Sequence, residues 1–285
     1  MDISKLDSQS IKTLNSQNIY ESKYNNYKSL PIYKFVKNNF LNEYNPGNIS
    51  NICDLKIINS HPIDILDELL QKGQNNLLSQ NIPLVVQCIG KEYKGDNPEL
   101  FDGIRDLTYI IRTNISSIFK LGNCFPIEDK ECIYTKLITT IRDKNGQFLS
   151  HDKLYGFSLL SVSPIEQPEL NNEYKMNSND YIKTLSVIES IFQTAIASNN
   201  KIIILPLFGQ HEKDANPIQD ILMIYNYCIL KYSHKFTNII ISIPEEMVED
   251  YSSIVNETII NPIELTKSID DKFDSKKMQH ILLSK

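Results

Sequence analysis

From residue 54 onward the chain alternates short apolar runs with longer stretches in which apolar residues recur every three or four positions. These are the two periods that separate strands from helices. Residues 54–59 read as a strand, after which Ile63, Leu66, Leu69 and Leu70 recur at helical spacing. Residues 82–89 are almost continuously apolar up to Gly90, the pattern of a strand covered on both faces. The stripe Ile104, Leu107, Ile111, Ile115 and Phe119 predicts a helix over residues 101–120. Two further strands are predicted over 132–141 and 155–164, with the tight-turn dipeptide Asn145-Gly146 between them. A helix over 180–198 places Ile182, Leu185, Ile188, Ile191, Phe192 and Ile196 on one side. Strands follow at 201–209 and 238–244, and a helix opens between them at Pro217, a residue favoured in a first helical turn.

Strands alternating with helices of this length imply an α/β fold, a largely parallel sheet between helical layers, with mixed pairing where residues 132–164 are β-rich. Residues 1–50 are dominated by Ser, Asn, Tyr and Lys, with one denser apolar patch at 30–36 and a turn signal at Asn45-Pro46-Gly47. They are expected to form an arm. Residues 51–244 hold the α/β domain, and residues 245–285, charged and weakly periodic, form a C-terminal extension.

Composition narrows the function classes. At 285 residues and 41% hydrophobic the chain can bury a substantial core. Its 29 Lys and Arg against 35 Asp and Glu leave a net charge of −6, so the surface lacks the positive field of a protein that grips nucleic-acid phosphates, and nucleic acid is not an expected partner. No stretch approaches the roughly 20 apolar residues of a membrane span, and residues 1–10 lack an apolar leader. A soluble, cytoplasmic protein with no membrane partner is expected. The cysteines Cys53, Cys88, Cys124, Cys132 and Cys228 are scattered and lack CxxC spacing, which points to buried free thiols rather than disulfides or zinc. No metal and no cofactor is expected. His211, Glu212 and Asp214 crowd into one loop, but three near-adjacent loop residues rarely face one ion.

Ligands of open α/β sheets sit beyond the carboxyl ends of the strands, where loops feed helix N-termini. Two loops have that form, residues 90–100 and residues 209–216. Gly90, Gly95 and Gly209 would permit close backbone approach, Lys91 and Lys94 could meet phosphate as point charges, and Asp96, Gln210 and His211 add polar groups. No GxGxxG, GxxxxGK[ST] or GxSxG occurs after a predicted strand, which sets aside dehydrogenase, P-loop and serine-hydrolase chemistry.

The segment order carries a resemblance. Val85-Val86-Gln87-Cys88-Ile89-Gly90, Arg112-Thr113-Asn114-Ile115, Ile133-Tyr134 through Ile141-Arg142-Asp143, Leu205-Pro206-Leu207-Phe208-Gly209 and residues 238–243 follow one another in a pattern that resembles the macrodomain superfamily, particularly the microbial type of poly(ADP-ribose) glycohydrolase. The resemblance covers about two-thirds of the chain. It implies a three-layer α/β/α mixed sheet, carried here with N- and C-terminal extensions, and a cleft whose loop amides hold the diphosphate of ADP-ribose or a related nucleotide.

The departures bear on activity. The family's first loop carries three consecutive glycines and then paired glutamates; here it reads Lys91-Glu92-Tyr93-Lys94-Gly95-Asp96. Aligning on Arg112-Thr113-Asn114 puts Asp106-Leu107 at the paired glutamates, which makes Asp106 the candidate general acid, with Glu99 and Asp102 as neighbouring carboxylates. In the second loop Gly209-Gln210-His211-Glu212-Lys213 keeps only the glycine. The expectation is a divergent macrodomain that binds ADP-ribose or a related nucleotide with lost or weakened activity, an ADP-ribosyl glycohydrolase if active. The alternative is a non-catalytic structural or protein-interaction module whose terminal arms meet a partner or a second copy.

Overall fold

The computed structural model describes residue 10, residues 13–14, 16–18, 32–36, 53–72, 82–91 and 106–115, residue 127, and residues 131–260. Within these, seven strands form one sheet: β1 (Ile32–Val36), β2 (Asp54–Ile58), β3 (Leu84–Cys88), β4 (Glu131–Thr140), β5 (Tyr155–Val162), β6 (Ile202–Leu205) and β7 (Asn238–Ser242). Five helices flank it, α1 (Pro62–Lys72), α2 (Leu107–Arg112), α3 (Ser178–Ala197), α4 (Ile218–Tyr232) and α5 (Val248–Thr258). The strand order is β1-β4-β5-β3-β6-β7-β2. β5, β3, β6, β7 and β2 run parallel, while β4 joins β5 and β1 antiparallel. The sheet thus reaches back into the segment expected to be an arm, because the apolar run Ile32-Tyr33-Lys34-Phe35-Val36 completes its edge.

Alternate strand positions face opposite helical layers, as the two-residue period of a strand requires. Leu84 and Val86 of β3, Ile203 and Leu205 of β6, and Ile239 and Ile241 of β7 pack with α3 and α4 through Val187, Ile188, Ile191, Phe192, Ile221, Tyr225 and Ile229. Val85, Ile204 and Ile240 turn the other way, onto Ile63 and Leu66 of α1 and Tyr109 and Ile110 of α2. The result is the three-layer arrangement, with both faces of the parallel strands apolar.

Two predicted elements differ from the observed ones. The helix expected through residue 120 breaks after Arg112, where Thr113 turns extended (φ −129°, ψ 172°), and helical backbone resumes at Ile115, the last described residue of that stretch. Thr113 bridges Thr140, and Asn114 exchanges bonds with Thr139 at 3.1 and 2.9 Å, so the chain joins β4 although Ile115 keeps the apolar stripe buried. In α3 the buried face runs through Thr184, Val187, Ile188, Ile191, Phe192 and Ala195. Ile182, expected on that face, is 63% exposed. Residues 101–105 and 261–285 lie outside the described residues.

Candidate functional site

Because β2, β3, β5, β6 and β7 are mutually parallel, their carboxyl ends share one edge of the sheet. That edge gathers His61 after β2, Gly90 and Lys91 after β3, the long connection to α3 after β5, and residues 206–217 after β6.

The loop after β6 is braced by its own hydrogen bonds and by the connection after β5. Gly209 sits at φ +66°, and a Cβ placed there would meet Asn216 at 2.7–2.9 Å, so both conformation and space demand glycine. Asn216 donates from Nδ2 to Ile165 O (2.8 Å) and Asp214 O (3.0 Å), and the Gln167 amide donates to Asp214 O (2.8 Å), which ties this loop to the connection after β5. Gln167 (φ 47°) and Ala215 (φ 47°) both hold left-handed backbone at that contact, a conformation that persists only where the surroundings impose it. The loop also bonds itself. The amides of Lys213, Asp214, Ala215 and Asn216 donate to His211 Nδ1, His211 O, His211 O and Gly209 O at 2.9–3.2 Å. Gln210 Nε2 donates to Phe208 O and Asn216 O. Gln210 and His211, candidate ligand contacts, therefore staple the loop through their side chains. Gly90 is buried and outside the positive-φ set, Lys91 is exposed, and the Lys91 carbonyl accepts the Ile127 amide at 2.8 Å.

Asp106 and a histidine that the sequence reading passed over form the chemical centre of the opposite side. His61 precedes α1, and its Nδ1 accepts the Ile63 N–H at 3.1 Å, capping that helix. An Nδ1 that accepts leaves the proton of the neutral ring on Nε2, which lies 2.7 Å from Asp106 Oδ2 and donates to it. Asp106 is itself the N-cap of α2, its Oδ1 accepting the Thr108 N–H at 2.9 Å. One hydrogen bond between two capping residues thus joins the N-termini of α1 and α2. The imidazole is 14% exposed and the carboxylate 38%, and the His61 ring leans on Tyr109 at 5.5 Å between centroids. Burial pushes the Asp106 carboxyl upward, but the facing His61 and the hydrogen bonds from His61 and Thr108 outweigh it, leaving the group below its ordinary range. Tyr109 is held well above its usual value by burial and then by Asp106 and Cys88.

The architecture has solved counterparts. The poly(ADP-ribose) glycohydrolase from Thermomonospora curvata, bound to the inhibitor ADP-HPD, superposes with a TM-score of 0.61 at 8% identity over 82% of this chain and 93% of that one. The Deinococcus radiodurans poly(ADP-ribose) glycohydrolase in complex with ADP-ribose gives 0.56 at 8% identity over 92% and 94%. No family model and no curated protein matches by sequence. The chain has the macrodomain-like fold of the bacterial poly(ADP-ribose) glycohydrolases.

In this glycohydrolase-type fold, the residues that carried the resemblance turn out to hold α2 in place. Arg112, buried, donates to Asp64 Oδ1 (2.5 Å) and Asp67 Oδ2 (2.8 Å) of α1, and the Tyr155 hydroxyl donates to the same Asp67. Arg142, also buried, donates to Gly146 O (2.7 Å), lies 3.7 Å over the Phe148 ring and reaches Gln17 and Asn18. The structure brings Gly90 and Lys91, Asp106, and Gly209, Gln210 and His211 to one edge of the sheet; Gly95, Asp96, Glu99 and Asp102 lie outside the described residues. Three residues were missed. His61, between a strand and the helix-opening Pro62, and Asn216, before Pro217, each carried the local signal of a helix start. Asn18 carried none. Among the described residues no cluster of His, Cys, Asp and Glu is arranged to hold a metal, and no helix is long and apolar enough to cross a membrane.

Proposed function

We propose that the carboxyl edge between the β3 and β6 loops binds ADP-ribose or a related nucleotide, with glycohydrolase activity weakened or lost. The observation that carries the binding half is the braced loop after β6: its Gly209 turn is locked by Asn216, on the fold of proteins whose solved complexes include ADP-ribose. Gly90, Lys91 and Gly209 offer backbone and charge to a diphosphate, while Gln210 and His211 act by holding the loop. The weakened activity rests on Asp106. A carboxylate held below its usual range and engaged at both oxygens carries no proton to give at neutral pH. Its remaining exposed lone pairs suit it to accept hydrogen bonds from ribose hydroxyls. Titration calorimetry with ADP-ribose tests binding; absence of heat and of any thermal shift at millimolar ligand removes the reading. Release of ADP-ribose from poly(ADP-ribose) at a rate typical of an active enzyme would remove the claim of weakened activity.

A second reading, a protein-interaction module, is favoured by one feature. The connection after β5 and the start of α3 expose Leu170, Tyr174 (81%) and Ile182 to solvent, with Tyr174 at φ 59°. Exposed apolar groups of this kind mark contact surfaces when they adjoin. Light scattering of the full chain tests self-association, and a monomer at all concentrations removes that form of the reading.

A further inference from the structure

We propose that Asn18 is a positioning residue for the Asp106 side of the cleft, acting from 88 positions away by closing the far end of α2. The inference builds on the role given to Asp106 above. Helix α2 has six residues, and a helix that short does not hold itself in water. Its last carbonyls also lack intrahelical partners, as at every helix end. Each finds one from elsewhere. The Tyr109 carbonyl still takes the last helical bond, from the Thr113 N–H, with Thr113 Oγ1 donating to it as well, whereas the Arg112 carbonyl accepts from the amides of Ile141 and Arg142. The Ile110 and Ile111 carbonyls both accept from Asn18 Nδ2, at 3.0 and 2.7 Å.

Asn18 is 1% exposed, and its other end is fixed as well. Its Oδ1 accepts from Arg142 Nε at 2.8 Å, and the neighbouring Gln17 accepts from Arg142 Nη2 at 2.9 Å. The amide therefore bridges the carbonyl end of α2 to the turn after β4, with each of its two atoms matched to the chemistry it faces. At the other end of the same helix Asp106 meets His61. A six-residue helix clamped by residues from outside itself at both ends places its N-cap carboxylate only as well as both clamps hold. Gln17 and Asn18 are thereby part of the framework that places Asp106, and a truncation or partner that withdraws them releases it.

Two variants of the full chain separate this from a general contribution to folding. Asn18→Ala removes both contacts, whereas Asn18→Asp keeps the acceptor for Arg142 but removes the donor to Ile110 and Ile111. Amide exchange is read in α2 and in α4, and ADP-ribose affinity is read by calorimetry well below the melting temperature. The expected result is exchange in α2 faster by about ten-fold or more in both variants, α4 unchanged, ADP-ribose binding weaker by a similar factor, and a displaced His61 imidazole NMR resonance. The proposal is overturned if Asn18→Asp behaves as wild type, or if α2 and α4 lose protection equally with affinity intact. Should the wild-type chain bind no ADP-ribose, the reading of the cleft fails by itself, and the α2-against-α4 exchange together with the His61 resonance still decides the role of Asn18.

Discussion

The two faces of the sheet are held by different physics. Against α3, α4 and α5 the contacts are apolar and continuous: Phe192 stacks on Tyr232 at 5.8 Å and meets Phe236 edge-on at 5.9 Å, among Ile188, Ile191, Ile221 and Ile229. An ion pair at its margin, Lys231 with Glu189 at 2.7 Å, draws Tyr232 and Tyr227 into one cluster rather than organising the layer. Against α1 and α2 the apolar cluster among the described residues is smaller, and charged and amide side chains add directional contacts: Arg112 with Asp64 and Asp67, Arg142 with Asn18, and His61 with Asp106. Both faces are apolar cores, and the second adds a set of directional polar contacts to its burial. Burial is non-directional and tolerates small shifts. Hydrogen-bonded charge holds its groups to a few tenths of an ångström and fails abruptly when one partner is removed.

That contrast can be broken experimentally. Phe192→Ala opens a cavity in the first face and is expected to cost about 4 kcal/mol, seen as a large fall in Tm with the His61 resonances unchanged; a selective effect on α2 would collapse the distinction between the faces. Arg112→Ala leaves Asp64 and Asp67 without their partner and is expected to cost about 3 kcal/mol, with faster amide exchange concentrated in α1 and α2. Gly209→Ala is expected to cost about 2 kcal/mol from positive φ and the Asn216 overlap, and to abolish ADP-ribose heat where affinity survives in Phe192→Ala. Asp106→Ala removes an N-cap and is expected to cost about 1 kcal/mol. Its pH signature is sharper than its size. Because the folded carboxyl titrates below its ordinary value, the stability it contributes is complete above about pH 4 and is lost as the pH falls through the lower folded value. Tm measured from neutral pH downward should therefore lose part of its acid dependence in Asp106→Asn. The mildest test uses thiols: burial pushes Cys53 and Cys132 up to about 11, so neither should react with a thiol reagent at pH 8 until the chain unfolds.

Much of the first face was legible beforehand. The stripe on α3 and the apolar runs of β3, β6 and β7 are local patterns, and burial follows them with one slip, Ile182, where the stripe was drawn one helical position off the buried face. The second face was legible only in part. Asp106 and Arg112 were singled out, but their roles depend on partners 45 and 48 positions away, and no period or motif relates residues at such separations. The end of α2 was misjudged for the same reason. The stripe through Ile115 continues, and what stops the helix is pairing of Thr113 and Asn114 with β4.

The sequence by itself determined the alternation of elements, the parallel sheet between helical layers, and the glycine-bearing loops after β3 and β6, because side-chain period and turn chemistry act over a few residues. Only the tertiary structure decided what those loops present. It joined β1 to the sheet, locked Gly209 against Asn216, set His61 on Asp106, and brought Asn18 to the end of α2. Each of those contacts joins groups whose match lies in geometry and hydrogen-bonding capacity, properties that exist only once the chain has placed them together.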